Sequence, residues 1–241
     1  MSAPLESVRI IEMGQLIAIP FAMKMLADMG AQVIRLESTG RLESYRGDSV
    51  YKNDISGEFW NKGANFYEQN RNKLGITLDL SKPEGRSILK ELIATADIFA
   101  ENFTPRVIKN FGLEYEELRK IKPDIIMVSS TGYGFYGPWA NYGATGPATE
   151  GAAGLAYQTG YLGGGSPVMA DIPYTDYTSG EHTVFAVMAA LMHRLRTGQG
   201  QFVDISQTQA TSSTIPEVLM DYSANGRTGQ RMGNQDTAMS P

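Results

Sequence analysis

The stretch Pro173-Tyr-Thr-Asp-Tyr-Thr-Ser-Gly-Glu-His182 holds the residue types and spacing best suited to covalent chemistry. A carboxylate just ahead of a long apolar helix sits near the positive end of the helix dipole, which favours its ionised, nucleophilic form. Backbone N–H groups at the same end can meet a developing oxyanion. Thr178 and Glu181 have capping-box spacing. That spacing makes Thr178 the N-cap and leaves Asp176 two residues outside the helix. On spacing alone the plainer readings of Asp176, an alternative cap or a hydrogen-bonded loop aspartate, stand ahead of the catalytic one. Asp171 is not separated from it on these grounds. His182 reads first as a buried structural histidine, although the first turn of the helix brings it within reach of the same site. His193, beside Arg194 and Arg196, reads as a partner for the C-terminal end of the helix dipole.

The rest of the composition narrows the chemistry by exclusion. The chain has 241 residues, no cysteine, two histidines and a formal net charge of −5. There is no disulfide framework, thiolate zinc site or cysteine nucleophile, and two histidines make a multi-histidine metal site an unpromising reading. Covalent work therefore falls to Ser, Thr, Lys, Tyr or a carboxylate. An acidic balance argues against nucleic acid as a general partner but allows one small polyanionic ligand. No apolar run approaches the roughly 18–20 residues of a membrane span. No secretory leader is read at the N-terminus, so the cytoplasm is the expected compartment.

Two periodicities alternate along the chain. Short β-rich runs at 8–13, 32–37, 74–80, 97–103, 124–130 and 201–205 read as strands. Helices are read at 18–29, ended by Gly30, from about 83 to 96 behind a Ser81–Glu84 capping box, and at 105–111, 114–121, 149–157, 180–196 and 208–222. The 180–196 helix is apolar almost all round at its centre and reads as buried. Residues 38–71 show no clear period, and a loop that long is usually functional or misread. The pattern predicts an α/β fold with a largely parallel sheet.

Several motifs fail. Gly14-Gln-Leu-Ile-Ala-Ile-Pro20 is not the glycine-rich dinucleotide fingerprint, and no phosphate-binding P-loop or G-x-S-x-G elbow is present. The Leu162-Gly-Gly-Gly-Ser166 loop reads as a flexible connection or, more sharply, as a flap over a reactive acyl group. Arg46, Arg71, Lys73, Arg106 and Lys109 are the basic residues that could meet phosphates. The Asn102-Phe103-Thr104 step follows a strand at its C-terminal end, where open α/β sheets bind ligands.

At these residues the sequence resembles the class III CoA-transferases, the formyl-CoA transferase and carnitine CoA-transferase family, which also contains α-methylacyl-CoA racemase. Segments 8–38, 70–85, 96–105, 111–138 and 173–206 match in order. The ENF step and the RTGQGQ turn are the most specific. The resemblance implies a Rossmann-like, mostly parallel sheet with flanking helices over 1–206. Residues 207–241 are then a helix and the start of a linker toward a small domain largely absent from this sequence. It implies two chains interlocked as a dimer. The short length and the altered CoA positions motivate a different reading, a non-catalytic or partner-dependent subunit of a hetero-oligomer. The family's nucleophile is an aspartate in a D-x-x-x-G context, which Asp176 and Gly180 match and Asp171 does not.

The implied activity moves CoA between an acyl-CoA thioester and a small carboxylic acid through an aspartyl covalent intermediate, with acyl-CoA as substrate, no tightly bound cofactor and no metal. CoA contacts carry over by position to Ile17, Ala18, Leu78, Asp79, Leu80, Ser81, Asn102, Phe103 and Thr104. The sequence departs from the family at Ile19-Pro20, where Gly-Pro is frequent, at Ser38, where some members have arginine, and at Asn110, where a basic residue is common. The phosphate contacts are accordingly expected to move to Arg46 or Lys73, or CoA binding to be weak. The histidine of the racemase branch has no counterpart between Asn141 and Tyr157, which disfavours racemase or isomerase chemistry.

Overall fold

A computed structural model describes residues 2–38 and 40–235. Six strands, β1 (Arg9–Met13), β2 (Gln32–Glu37), β3 (Lys73–Thr77), β4 (Ile98–Glu101), β5 (Ile126–Thr131) and β6 (Phe202–Ser206), form one sheet in the order β3-β2-β1-β4-β5-β6. Every pairing is parallel. A strand buried on both faces needs no polar alternation, and the near-continuous apolar run of β1 and β4 follows from that.

Eleven α-helices are formed among the described residues: α1 (Ala18–Asp28), α2 (Ser44–Gly47), α3 (Ala64–Asn70), α4 (Pro83–Ala94), α5 (Pro105–Phe111), α6 (Tyr115–Ile121), α7 (Gly146–Ala152), α8 (Leu155–Gln158), α9 (Tyr174–Thr197), α10 (Gln207–Ser212) and α11 (Pro216–Asn225). On one face Ile10, Val33, Ala100 and Val128 pack under Met23 and Leu26 of α1 and Val187 and Leu191 of α9. On the other, Ile11, Phe99 and Met127 pack under Leu89 and Ile93 of α4, Ile108 of α5 and Leu118 of α6. The order in which successive strands are added reverses between β1 and β4, so the crevice at their C-terminal ends is the switch point where ligands enter folds of this topology.

The structure corrects several local expectations. Helix α9 begins at Tyr174, not after Thr178, so the Thr178–Glu181 capping box does not form and Asp176 lies in the first turn. It is also not buried all round: Phe185, Met192 and Leu195 are exposed. His182 is exposed, with Nδ1 2.8 Å from the Thr178 carbonyl oxygen. The Ser81–Glu84 box is absent as well, because the Ser81 hydroxyl donates to Asp79 Oδ1 at 2.6 Å and Lys82 takes the N-cap place. The helix expected at 149–157 is two, broken at Gly154 in the left-handed region. That expected at 208–222 is likewise two, because Pro216 cannot continue α10. Residues 38–71 are not one loop but carry α2 and α3, joined by an antiparallel bridge between Val50 and Gly63. Within the expected 207–241 linker stretch, 236–241 lie outside the described residues.

Candidate active site

Asp176 and Gly180 are one helical turn apart and share a face of α9. A Cβ on Gly180 would stand 2.6 Å from Phe21 Cδ1 and 3.2 Å from the Ala18 carbonyl oxygen. The glycine is therefore what lets the start of α9 lie against the start of α1. That contact brings the Asp176 carboxylate to the Ala18 N–H, which donates to it. Gln207, the first residue of α10, adds Nε2 to Asp176 Oδ1 at 3.3 Å. On the third side, a Cβ on Gly146 would fall 2.5 Å from Asp176 Oδ2. The carboxylate is enclosed by the first residues of three helices, the backbones of α1 and α7 and the Gln207 side chain of α10, and is 9% exposed. Burial is the dominant influence on it and pushes its pKa up to about 6, partly offset by the two hydrogen bonds. Asp171, by contrast, is exposed in the loop before α9.

The β1–α1 loop that delivers Ala18 is held by main-chain hydrogen bonds to distant side chains. Asn102 accepts from the Gln15 N–H at 2.9 Å and donates to the Gln15 carbonyl at 2.8 Å. The Leu16 N–H donates to Glu43 Oε1 at 2.8 Å while Leu16 itself sits at φ 60°. A left-handed leucine costs conformational energy that these bonds offset. Gly14 is required for packing, since a Cβ there would meet Ile19 Cγ2 at 2.6 Å.

On the far side of this loop lies a groove of about 520 Å³. Met13, Gly14 and Gln15 form one wall, Leu78, Asp79, Leu80 and Ser81 another, and Phe103, Val107 and Phe111 a third. Of the positions expected to meet CoA, Leu78–Ser81 and Phe103 thus come together around one cavity. Ile17 and Ala18 are buried beside it and offer only backbone. Asn102 is spent on Gln15. Thr104 starts α5, and its hydroxyl is buried without a hydrogen-bond partner among the described residues.

Arg46 and Lys73 do not line the groove, and their bonding explains why. Arg46 clamps Glu37 with two bonds, at 2.7 and 2.5 Å, and its guanidinium lies 3.7 Å from the centre of the Phe66 ring. Lys73 is 2.7 Å from Glu12 Oε2, donates to the Pro20 carbonyl and has a side chain 2% exposed. Glu12 in turn takes Arg35 at 2.6 Å, and Arg35 also pairs with Glu43. Ion pairs this deep must be complete to be tolerated, so neither cation is available to an incoming phosphate. Burial nevertheless brings the Lys73 pKa down to about 8, the nearby Glu12 charge only partly opposing it. Of the other basic candidates, Arg71 pairs with Asp28, and neither Arg106 nor Lys109 lines the groove.

Gln207, Gly146 and Arg41 were missed by sequence reasoning. The signal for Gln207 was its place directly after β6, at the C-terminal end of a parallel strand. Tyr45 was missed too: burial and, next, the charge of Asp176 push its pKa up to about 12, so the 38–71 segment folds back within electrostatic reach of the carboxylate. The Leu162–Ser166 loop lies elsewhere, its Gly164 and Gly165 carbonyls accepting from Arg231. Among the described residues there is no cluster of three or more His, Cys, Asp or Glu able to hold a metal, and no helix long and apolar enough to cross a membrane.

The six-stranded parallel sheet with its helices, a buried carboxylate and a groove at the switch point defines an α/β protein of the doubly wound class. The profile of CoA-transferase family III matches residues 5–241, and the chain belongs to that family. Among the relatives it resembles, the succinate–glutarate CoA-transferase of Agrobacterium fabrum is 35% identical over 99% of this chain and 59% of its own length. The acetyl-CoA:oxalate CoA-transferase of Acetobacter aceti is 32% identical over 99% of this chain and 59% of its own. A CAIB/BAIF family protein of Brucella suis, solved by crystallography, superposes with a TM-score of 0.89 at 31% identity, covering all of this chain and 63% of that one. The chain thus spans about six-tenths of the length of the proteins it matches.

Proposed function

We propose that this chain carries the CoA site and the nucleophile of a CoA-transferase that moves CoA from an acyl-CoA thioester to a carboxylic acid. Asp176 carries the reading: its carboxylate is enclosed by the starts of α1, α7 and α10, in the D-x-x-x-G setting. Its oxygen attacks the thioester carbonyl, and the tetrahedral intermediate expels CoA thiolate to leave an aspartyl mixed anhydride. The thiolate then attacks the aspartyl carbonyl, releasing the first acid and leaving an aspartyl-CoA thioester. The acceptor carboxylate attacks that carbonyl and expels CoA thiolate, giving a second mixed anhydride; the thiolate then attacks the acceptor's carbonyl, forming the new acyl-CoA and releasing the Asp176 carboxylate. The full cycle regenerates the carboxylate and the thiol it consumes, so no outside reactant is needed.

The chain's own residues supply positioning and shielding. The Ala18 N–H and Gln207 amide orient the carboxylate and stand ready for charge on its carbonyl oxygen. Gly146 and Gly180 keep the surrounding backbones close and water out. The nucleotide lies in the groove among Leu78–Ser81 and Phe103, and the pantetheine arm crosses the β1–α1 loop past Asn102 and Thr104. The exposed Phe185, Met192 and Leu195 on α9 support assembly with a second chain, in line with a dimer.

The test is intact-mass analysis after incubation with succinyl-CoA or acetyl-CoA, with hydroxylamine added to convert the adduct to a hydroxamate at Asp176. The wild type is expected to gain the adduct and Asp176→Ala to gain none. An equal adduct in both would overturn the assignment.

A further inference from the structure

We propose that Arg41 is the phosphate-binding residue of the groove, taking a phosphate of the CoA nucleotide in place of the arginine that Ser38 lacks; this rests on the groove being the CoA site. The argument begins from charge. CoA brings a pyrophosphate and a ribose phosphate to a cavity walled in part by Glu37, Glu43 and Asp79. A polyanion enters such a cavity only if a cation is free to meet it.

Three cations at or near the groove are already engaged. Arg35 is shared between Glu12 and Glu43, Arg46 is clamped by Glu37, and Lys73 is buried against Glu12. Lys82 is exposed to solvent and does not line the groove. Arg86, at the adjoining start of α4, donates to the carbonyls of Leu80 and Ser81 and so shapes the wall.

Arg41 differs on each count. It lines the groove, it is exposed, and it forms no ion pair with the described residues. Beside it, Gly40 leaves room for a bulky anion to come close to the backbone. The guanidinium fork suits a phosphate, offering paired N–H donors at a fixed spacing. Arg41 lies only three positions past Ser38, on the same β2 exit and in the same groove lining, so a shift along one loop restores the missing charge.

The experiment is calorimetric titration of the chain with CoA and with 3′-dephospho-CoA, for wild type, Arg41→Ala and Arg41→Lys, each with its melting temperature. Arg41→Ala is expected to weaken CoA binding at least about ten-fold, with melting unchanged because the side chain is exposed and unpaired. Arg41→Lys is expected to recover part of the loss, since it keeps the charge without the fork. If the deficit of Arg41→Ala disappears with 3′-dephospho-CoA, the ribose phosphate is the one held; if it persists, the pyrophosphate is. Wild-type affinity in Arg41→Ala, or an equal loss in Arg41→Ala and Arg41→Lys, overturns the proposal. A wild-type chain that binds no CoA is a different failure: it overturns the CoA reading of the groove, and this inference with it.

Discussion

A Cβ on Gly146 would stand 2.5 Å from Oδ2 of Asp176, so the first residue of α7 fixes where that carboxylate can be. Alanine there would force the carboxylate or the helix start to move. Gly146→Ala is expected to fold, with a modest drop in melting temperature, and to lose acyl-adduct formation by about a hundred-fold, the scale on which a misplaced reactive group slows chemistry. Circular dichroism and adduct mass spectrometry check the two halves. An active Gly146→Ala would mean that the carboxylate is less tightly placed than the structure has it.

Burial holds the Asp176 carboxyl at about 6 against 3.8 for a free aspartate. The folded chain therefore keeps a proton between pH 4 and 6 that the unfolded chain has released. Stability from this group is present at low pH and is lost as the pH rises through 6. The loss amounts to about 2–3 kcal/mol by linkage. Asp176→Asn removes the titration, so urea melts of this variant are expected to lack that downward slope and to exceed wild type above pH 6. The transfer reaction needs the ionised form and is expected to fall about ten-fold per pH unit below 6.

Lys73 sits at the centre of a buried ion-pair set with Glu12, Arg35 and Glu43. Removing one member leaves Glu12 short of a counter-charge it cannot replace with water. Lys73→Met is expected to cost about 3–5 kcal/mol in equilibrium unfolding. At a temperature where both proteins are folded, its CoA affinity is expected to match wild type. A selective loss of CoA affinity without loss of stability would return Lys73 to the phosphate contacts.

The parallel sheet was legible because its strands are short β-rich runs bounded by turns, and the helix at 105–111 was placed to the residue. Helix starts were not. Thr178-x-x-Glu181 and Ser81-x-x-Glu84 have capping-box spacing, yet packing prevailed: α9 is extended a turn earlier by its fit against α1, and Ser81 turns back to Asp79. Apolar content misled in α9, because periodicity reports a hydrophobic face without saying that Phe185 lies open on it, 78% exposed. In the site, Asp176 was marked by its D-x-x-x-G context, and the groove wall Leu78–Ser81 by resemblance. The engagement of Arg46 and Lys73 was invisible because both ion pairs join residues on different elements. Gln207 and Arg41 were missed for other reasons: one is placed by the sheet, and the other emerges only by elimination of competing cations.

The loop from Gly14 to Ala18 meets its surroundings almost wholly through peptide groups: Gln15 with Asn102, Leu16 with Glu43, Ala18 with Asp176. Its side chains at Gln15 and Leu16 are therefore weakly constrained, while its course in space is tightly fixed. Comparisons scored on amino-acid identity undervalue such a segment. A change at Gln15 or Leu16 keeps the same hydrogen-bonding surface, so divergence at those two positions is a poor marker of lost activity. Change at the three distant side chains that hold it is a better one.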